Sequence, residues 1–258
     1  MSRIAVVIML IFTVLLSYGQ KHDDSRYTEL GYSTEIQSKI LDESKKLFIH
    51  LPFDFDANKE YPLIVLSDLM AFKPLSAITE IMAYNKTIPF CIVVCPVPTS
   101  PKNDYSPVVN DTAPGSNGGK TINFYEQELL PYLDSNFNVS KKILWGQRFS
   151  GMFATFVMLT KPSIFDAYLA DLPKLDVLEK EIITENIFEN IGTDEVFYQV
   201  SWTSLTAKPK AMDILLEKLE TGAPDNLRWR YSEESDSVMI THILTNYTYG
   251  LNSFFNEK

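Results

Sequence analysis

The sequence predicts an α/β protein with three layers, in which helices cover both faces of a mostly parallel central sheet with antiparallel N-terminal strands. Two early segments alternate apolar and polar residues, as half-buried antiparallel strands do. Later apolar runs alternate with segments of helical spacing, which is typical of parallel strands joined by helices. In addition, 45% of the 258 residues are hydrophobic, and we find neither an internal repeat nor an interdomain linker. We therefore predict a single domain.

The first elements of this domain are two alternating segments, residues 27–41 and 45–55, which we predict to be antiparallel strands. Residues 61–69 are more uniformly apolar and predict a strand covered on both faces. A helix over residues 74–86 and a second buried strand over residues 88–97 follow.

A long loop is predicted next, because residues 98–120 are rich in proline, glycine, serine and asparagine. A loop of this length in a compact domain is usually functional or mobile. The remaining predicted elements are a helix over 121–137 with Thr121 or Asn123 as its N-cap, a strand over 141–146, a helix over 149–161, a strand over 165–171, a helical insert over 175–191, a strand over 195–202, a helix over 207–220, a strand over 226–232 and a terminal helix over 239–255.

The N-terminus has the pattern of a secretory signal peptide. Arg3 precedes an apolar run over residues 4–16, and small and turn residues follow the run. We predict that residues 1–19 are a signal peptide cleaved near Gly19, and that residues 20–258 form the exported domain, periplasmic or extracellular. The run is short for a membrane span, so we expect none in the mature chain. A retained anchor is the alternative.

The charge balance argues against two classes of partner. The chain has 23 Lys and Arg against 33 Asp and Glu, a net charge of −10. No basic patch stands out, so we expect no nucleic acid and no anionic membrane surface as partner. Removal of residues 1–19 deletes only Arg3 and takes the charge to −11.

The two cysteines, Cys91 and Cys95, lie four residues apart in one apolar run. On an extended strand they would share a face about 13 Å apart, which is too far for a disulfide. We predict buried free thiols. Further metal ligands are not spaced nearby, so we expect neither a metal nor a cofactor.

The segment "LWGQRFSGMFATF", residues 144–156, has the strand–turn–helix pattern of a nucleophile elbow. Such a turn has the sequence G-x-S-x-G, and in an α/β sheet it lies at the carboxyl ends of the strands, where ligands bind. Here Arg148 occupies the serine position, and Ser150 that of the second glycine. Gly146 and Gly151 are compatible with a sharp turn and close helix–strand packing.

Four further segments carry a resemblance to a known family. Residues 44–69 match a strand and Leu-Pro that lead to Tyr-Pro and an apolar strand. "KNDYSP" at 102–107 matches an Arg-Asp-Tyr-Thr-Pro loop, residues 124–146 match a Phe-x-x-Glu-Leu-x-Pro-Tyr helix before the elbow, and residues 161–173 match a Lys-Pro-x-x-Phe-x-Ala-Tyr segment. Over residues 29–255 the chain resembles the Putative esterase family of the α/β-hydrolase fold, in its esterase D and enterochelin esterase-like branch.

The resemblance implies a serine–histidine–acid triad, yet none of its positions is filled. The serine falls on Arg148. The histidine falls on Ser235, and the segment after the seventh strand has no carboxylate. His242 lies within the apolar rhythm of the last helix and is interpreted as a surface or satisfied core residue. His22 and His50 are no better placed.

The same resemblance implies a ligand site at the elbow and its neighbouring loops. Its predicted ligand-binding residues are Asp68, Leu69, Asp104, Tyr105, Gln147, Arg148 and Phe149. Arg148 has two interpretations. It is a drifted residue whose side chain reaches water, or it binds an anion together with the N–H groups of the helix N-terminus. Asp68 could also pair with Arg148 internally.

Three hypotheses follow. The first is an exported pseudoenzyme that binds a small anionic or ester ligand or acts as a scaffold. The second is an active carboxylic-ester hydrolase for a small-acid or sugar ester, with a rearranged site. The third, by family analogy alone, is an accessory protein in cell-envelope carbohydrate or iron-chelate handling. The oligomeric state is not predicted.

Overall fold

The computed structural model of the protein describes residues 30–107, 116–184, 186–234 and 238–257. The predicted signal peptide over residues 1–19 and the predicted histidine position at Ser235 lie outside these ranges. Residues 31–258 form one compact unit. In the part of the chain that is described, no helix combines the length and apolarity needed to cross a bilayer.

The centre of the fold is a sheet of eight strands in the order β1-β2-β4-β3-β5-β6-β7-β8. β1 pairs antiparallel with β2, and β2 pairs antiparallel with β4. All later pairs are parallel, which confirms the predicted fold. The strands are β1 (Tyr32–Ser38), β2 (Glu43–His50), β3 (Tyr61–Leu66), β4 (Ile92–Pro96), β5 (Val139–Gln147), β6 (Ala167–Asp171), β7 (Val196–Thr203) and β8 (Leu227–Glu234).

Helices cover both faces of the sheet, and each face has its own apolar cluster. One cluster contains residues of α1 and α8, and the other contains residues of α5 and α7. The helices are α1 (Leu69–Tyr84), α2 (Pro101–Tyr105), α3 (Gly118–Phe124), α4 (Leu130–Asn136), α5 (Phe149–Thr160), α6 (Glu179–Ile182), α7 (Lys210–Gly222) and α8 (Met239–Asn256). The central strand β3 is buried along its whole length, as its apolar run predicts.

The prediction that the first helix begins at residue 74 is wrong. α1 begins at Leu69, five residues earlier, and Pro74 lies inside it. Asp68 makes this start possible, because its Oδ1 accepts a hydrogen bond of 2.9 Å from the N–H of Met70. A side-chain acceptor at the N-cap satisfies one of the backbone donors that the first turn leaves unpaired.

The region around the long predicted loop also differs from expectation. Residues 101–105 form α2, and residues 108–115 lie outside the described ranges. The predicted single helix over 121–137 is a composite of α3, a π-helical turn at Tyr125–Leu129 and α4. Neither Thr121 nor Asn123 is its cap, since α3 begins after Asn117.

The predicted helical insert over residues 175–191 is wrong in extent. Among the residues of this range that are described, helical structure is limited to a 3-10 turn at Leu175–Leu178 and the one-turn helix α6. The thiols behave as predicted, because Cys91 and Cys95 are free and buried. Burial raises the pKa of the Cys95 thiol to about 12, and it raises the pKa of Cys91 as well.

Candidate functional site

The turn between β5 and α5 has the geometry of a nucleophile elbow. Its tip is Arg148, whose φ of 54° and ψ of −108° place a non-glycine residue in a region that side chains disfavour. Such strain costs about 1–3 kcal/mol and persists only where surrounding structure imposes it. Here the backbone imposes it: the N–H of Arg148 donates to Asp171 O at 2.9 Å, and its carbonyl accepts from Met152 and Lys174 at 2.8 and 3.1 Å.

Two glycines make this turn possible. A Cβ atom at Gly146 would lie 2.2 Å from the carbonyl oxygen of Ser150, and one at Gly151 would lie 2.7 Å from that of Asp171. Both obstacles are backbone atoms, which cannot move aside as a flexible side chain can. The sharp turn and the close packing of α5 against the sheet therefore exist as the sequence predicts.

The side chain of Arg148 is exposed. Among the residues that the structure describes, it forms no hydrogen bond and no ion pair. The internal pair with Asp68 is not formed, because Asp68 instead caps α1. A lone guanidinium thus stands at the N-terminus of a helix of 12 residues, where a positive charge opposes the helix dipole.

Two residues occupy the positions that supply the backbone donors of an oxyanion hole in this fold. In the hydrolase mechanism these donors are the N–H of the residue after the nucleophile and an N–H from the loop after β3. Phe149 and Leu69 occupy these positions, at the carboxyl ends of the adjacent strands β5 and β3. Within the described ranges neither N–H has a hydrogen-bond partner. The residue at position 69 is a leucine with 40% of its surface exposed.

The hydroxyl of Ser150, two residues after Arg148, is bonded to the backbone of Gln147. Ser150 is buried, its Oγ donates to the carbonyl of Gln147 at 2.9 Å, and the N–H of Gln147 donates to that Oγ at 2.9 Å. Its hydroxyl therefore fixes the end of β5, and no histidine is within reach of it among the residues described.

Beneath the elbow lies a buried polar cluster centred on Asp171, the last residue of β6. This carboxylate is 2% exposed. It accepts hydrogen bonds from Ser201 Oγ at 2.5 Å and Gln147 Nε2 at 2.9 Å. His242 Nε2 lies 2.9 Å from the Oδ1 atom of Asp171. Three donors on three elements thus satisfy one buried carboxylate, as a buried charge requires.

His242 is fully buried at the start of α8. Burial lowers its pKa, but the contact with Asp171 and the proximity of Glu234, whose Oε2 lies 3.6 Å from Nδ1, outweigh burial and raise the pKa above the ordinary value of 6.5. The raised pKa and the contact with the Asp171 carboxylate favour the imidazolium form. His242 is therefore a core residue, as one of the two interpretations of its spacing predicts, but it is satisfied only at Nε2, because the buried Nδ1 has no hydrogen-bond partner in the described part of the chain.

The cluster contains serine, aspartate and histidine, but its connections are not those of a catalytic triad. In a triad the histidine lies between the acid and the nucleophile. Here Asp171 lies at the centre, and Ser201 Oγ donates to it while standing 3.5 Å from His242 Nε2. Ser201 is also 1% exposed. The arrangement binds β6, β7 and α8 together, and within it Ser201 donates to Asp171 rather than to His242.

The structure places the predicted ligand-binding residues in three different parts of the fold. Asp68, Leu69, Arg148 and Phe149 lie at the elbow. The side-chain amide of Gln147 is engaged with Asp171 and faces the buried cluster, which counts against its predicted contact with a ligand. Asp104 and Tyr105 line a cavity of about 300 Å³ beside β2 and β4, and Arg148 is not part of its lining.

Sequence reasoning missed the pairing of Asp171 with His242. The available signal was a carboxylate that ends the buried strand "AYLAD", next to the strand that leads into the elbow. In the described part of the chain, no group of three or more His, Cys, Asp or Glu side chains is arranged to hold a metal ion.

Comparison with known proteins places these features in context. The model of a family described as "Putative esterase" matches residues 38–212. A search of curated protein sequences finds no match to the chain. Solved structures with a similar fold include the BES protein from Bacillus cereus, at 21% identity and a TM-score of 0.74, with 88% of this chain and 96% of that chain covered.

Two further similar structures have names that describe hydrolases. The siderophore hydrolase EstB from Aspergillus nidulans has 16% identity and a TM-score of 0.70, covering 88% of this chain and 95% of that one. An IroE-like serine hydrolase from Shewanella oneidensis has 20% identity and a TM-score of 0.69, covering 87% of this chain and 80% of that one. At these identities the likeness shows the fold.

Proposed function

The chain belongs to the Putative esterase family of the α/β-hydrolase fold, and on that premise we propose that it is a pseudoenzyme that binds a ligand at its elbow without hydrolysing it. The observation that carries the proposal is Arg148 at the tip of an otherwise intact elbow. A guanidinium stays protonated at neutral pH and cannot act as an acyl-carrying nucleophile.

The rest of the site supports the same proposal. Ser150 is bonded to the backbone of Gln147, and Ser201 is bonded to Asp171 in the buried cluster. Each hydroxyl is therefore occupied and out of reach of a substrate. His242 is held by Asp171 beneath the turn and is fully buried, so it cannot accept a proton from a hydroxyl at position 148.

The elbow suits a small anionic or ester ligand. The exposed guanidinium of Arg148 and the N–H groups of Phe149 and Leu69, which have no hydrogen-bond partner among the described residues, are donors at the carboxyl ends of neighbouring strands. An anion there would relieve the conflict between the arginine charge and the helix dipole, which is about 0.3–1 kcal/mol at an exposed site. Guanidinium and helix N-termini both favour carboxylate and phosphate groups.

The test is hydrolysis of a panel of short-chain aryl esters by the chain 20–258, run beside Arg148→Ser, Arg148→Ser/Ser235→His and Arg148→Ala. We expect no turnover above buffer from the wild type or from Arg148→Ala. Slow turnover gained by the double variant alone would show that the elbow is an intact hydrolase shell that lacks only its reactive groups.

The opposite outcome is an active wild type. If it turns over esters and a serine-directed fluorophosphonate both labels it and stops the reaction, the chain is a carboxylic-ester hydrolase with a rearranged site. Identification of the labelled residue by mass spectrometry would then locate the nucleophile, and the pseudoenzyme proposal would be withdrawn.

We also propose that the protein is exported and acts in the periplasm or outside the cell. The support is the charge and apolar pattern of residues 1–19. N-terminal sequencing of the protein recovered from its producing cell should begin near Gln20. A protein that retains Met1 and fractionates with the cytoplasm would contradict export.

A further inference from the structure

We propose that the cavity beside β2 and β4 is a second binding site, and that its ligand is a neutral polyhydroxylated molecule about the size of one sugar ring. The cavity has a volume of about 300 Å³. This is at the lower end of the range of small-molecule sites, about 300–1,000 Å³, so one ring fits and a chain of rings does not.

The inner wall of the cavity contains a buried charged group. Lys45 lies on β2 in the same alternating register as Leu47 and Ile49, and it is 6% exposed. Its Nζ lies 2.6 Å from the Oε1 atom of Glu43 and 3.4 Å from Thr99 Oγ1. Lysine is almost never fully buried unless it is paired. This face of β2 is therefore apolar at Leu47 and Ile49 and polar only at the cavity.

Three further residues of the lining carry unused hydrogen-bonding capacity. Asn103, Asn117 and Lys120 line the cavity, and their side chains form no hydrogen bond or ion pair with any residue that the structure describes. Each amide offers two N–H donors and an acceptor oxygen. Hydroxyl groups both donate and accept, and a ligand that carries several of them matches such a wall better than a carboxylate or an ammonium does.

The charges around the cavity cancel. Glu43 and Asp104 are acidic, whereas Lys45 and Lys120 are basic. The Asp104 carboxylate lies 3.9 Å from Lys45 Nζ and accepts from the N–H groups of Thr99 and Ser100. A balanced wall gives no net attraction to either sign of charge, which favours a neutral ligand.

The cavity floor is aromatic and rigid. Tyr105, Phe124 and Tyr125 are 2%, 0% and 1% exposed. The Tyr125 hydroxyl is hydrogen-bonded to Ser67 Oγ at 3.0 Å, and the Tyr105 ring packs on Phe153 of α5 at 4.9 Å between centroids. At this exposure the three aromatic residues close the inner end of the cavity, and the polar lining is what remains to bind the hydroxyl groups of a ligand.

The site goes beyond the function proposed for the elbow, because Arg148 is not in its lining. The two proposals fail separately. Ester turnover by the wild type would refute the proposal that the elbow does not hydrolyse its ligand, and it would not bear on the cavity. Absence of saccharide binding would refute the cavity proposal, and it would not bear on the elbow.

The experiment is titration of the chain 20–258 with D-glucose, D-galactose, D-xylose and myo-inositol, followed by saturation-transfer NMR and calorimetry. Glucuronate and glucosamine serve as charged comparisons. We expect saturable binding of at least one neutral compound, and weaker binding of its charged counterpart. Asn103→Ala and Asn117→Ala should each weaken that binding about 2- to 10-fold, the effect of one lost hydrogen bond.

The matched control is Asn138→Ala. Asn138 is an exposed asparagine at the opposite end of the sheet, just before β5, and its side chain has no hydrogen-bond partner among the residues described. It should leave saccharide binding unchanged. The proposal is overturned if no neutral compound saturates the protein, if the charged compounds bind better, or if both cavity variants bind like the control.

Discussion

Replacement of Asp171 by asparagine should destabilise the protein more than any isosteric change at its surface. The carboxylate is 2% exposed and accepts from Ser201, Gln147 and His242. Asparagine keeps the volume but offers one acceptor oxygen and an NH₂ group, so at least one of the three donors would face another donor. The imidazolium of His242 would also lose its principal counter-charge.

The size of the effect follows from these contacts. Removal of one partner from a buried ion pair costs about 3–5 kcal/mol, because the other charge stays buried and uncompensated. For a domain of 150–250 residues each kcal/mol lowers Tm by about 2–4 °C, so the expected fall is about 6–20 °C. The free energy of unfolding of a whole domain is about 5–15 kcal/mol. The variant should therefore remain folded at 25 °C if the free energy of unfolding of the wild type exceeds the expected loss.

The assay is urea unfolding at pH 7, followed by tryptophan fluorescence and checked by a thermal scan. Glu220→Gln is the control, because Glu220 is an exposed carboxylate on α7 and its change should stay within about 0.5 kcal/mol. A loss below about 1 kcal/mol for Asp171→Asn, at an unchanged urea m-value, would refute the assignment of a buried charged pair.

Three further predictions concern the same region. The folded-state pKa of His242 is raised above 6.5, so its contribution to stability is complete below about pH 6.5 and is lost as pH rises through the folded-state pKa. The free energy of unfolding of the wild type should therefore exceed that of His242→Gln by an amount that shrinks between pH 5.5 and 8. A difference that grows with pH would contradict the assignment. Arg148→Gly should raise stability by about 1 kcal/mol, because glycine removes about 1–3 kcal/mol of strain and costs about 1 kcal/mol in unfolded-state entropy; a fall in Tm would show that the side chain contributes contacts of its own. Gly151→Ala should cost at least about 1–3 kcal/mol because its methyl would meet the carbonyl oxygen of Asp171 at 2.7 Å, and a neutral result in chemical denaturation would mean that α5 can shift.

Much of the fold can be predicted because its signals are local. The uniformly apolar runs of β3 and β4 and the helical spacing of α5 and α8 identify their elements from neighbouring residues alone. The first residue of α1 was predicted wrongly because the start of this helix depends on the Asp68 cap and places a proline inside the helix. The π-helical turn at Tyr125–Leu129 was not predicted, because its residue spacing differs from that of the flanking α-helices over one turn only.

The candidate site is predictable in its backbone and much less so in its side chains. The glycines around Arg148 identify the elbow directly. The pairing of Asp171 with His242 joins two residues 71 positions apart, and it depends on where α8 begins relative to β6. Lys45 was missed although its alternation with Leu47 and Ile49 places it on the inner face of β2. A charged residue in an apolar register was the signal, and its meaning became clear only with Glu43 beside it.

The way in which the elbow is held has a consequence for protein engineering. Every hydrogen bond of Arg148 with the described part of the molecule is made by its main-chain N–H and carbonyl, and the positions that have no room for a Cβ atom are Gly146 and Gly151. The shape of the turn is therefore independent of the side chain it carries. Position 148 is a rigid, solvent-facing attachment point, where a cysteine for labelling, a metal-binding amino acid or a new nucleophile can be installed with its orientation known beforehand.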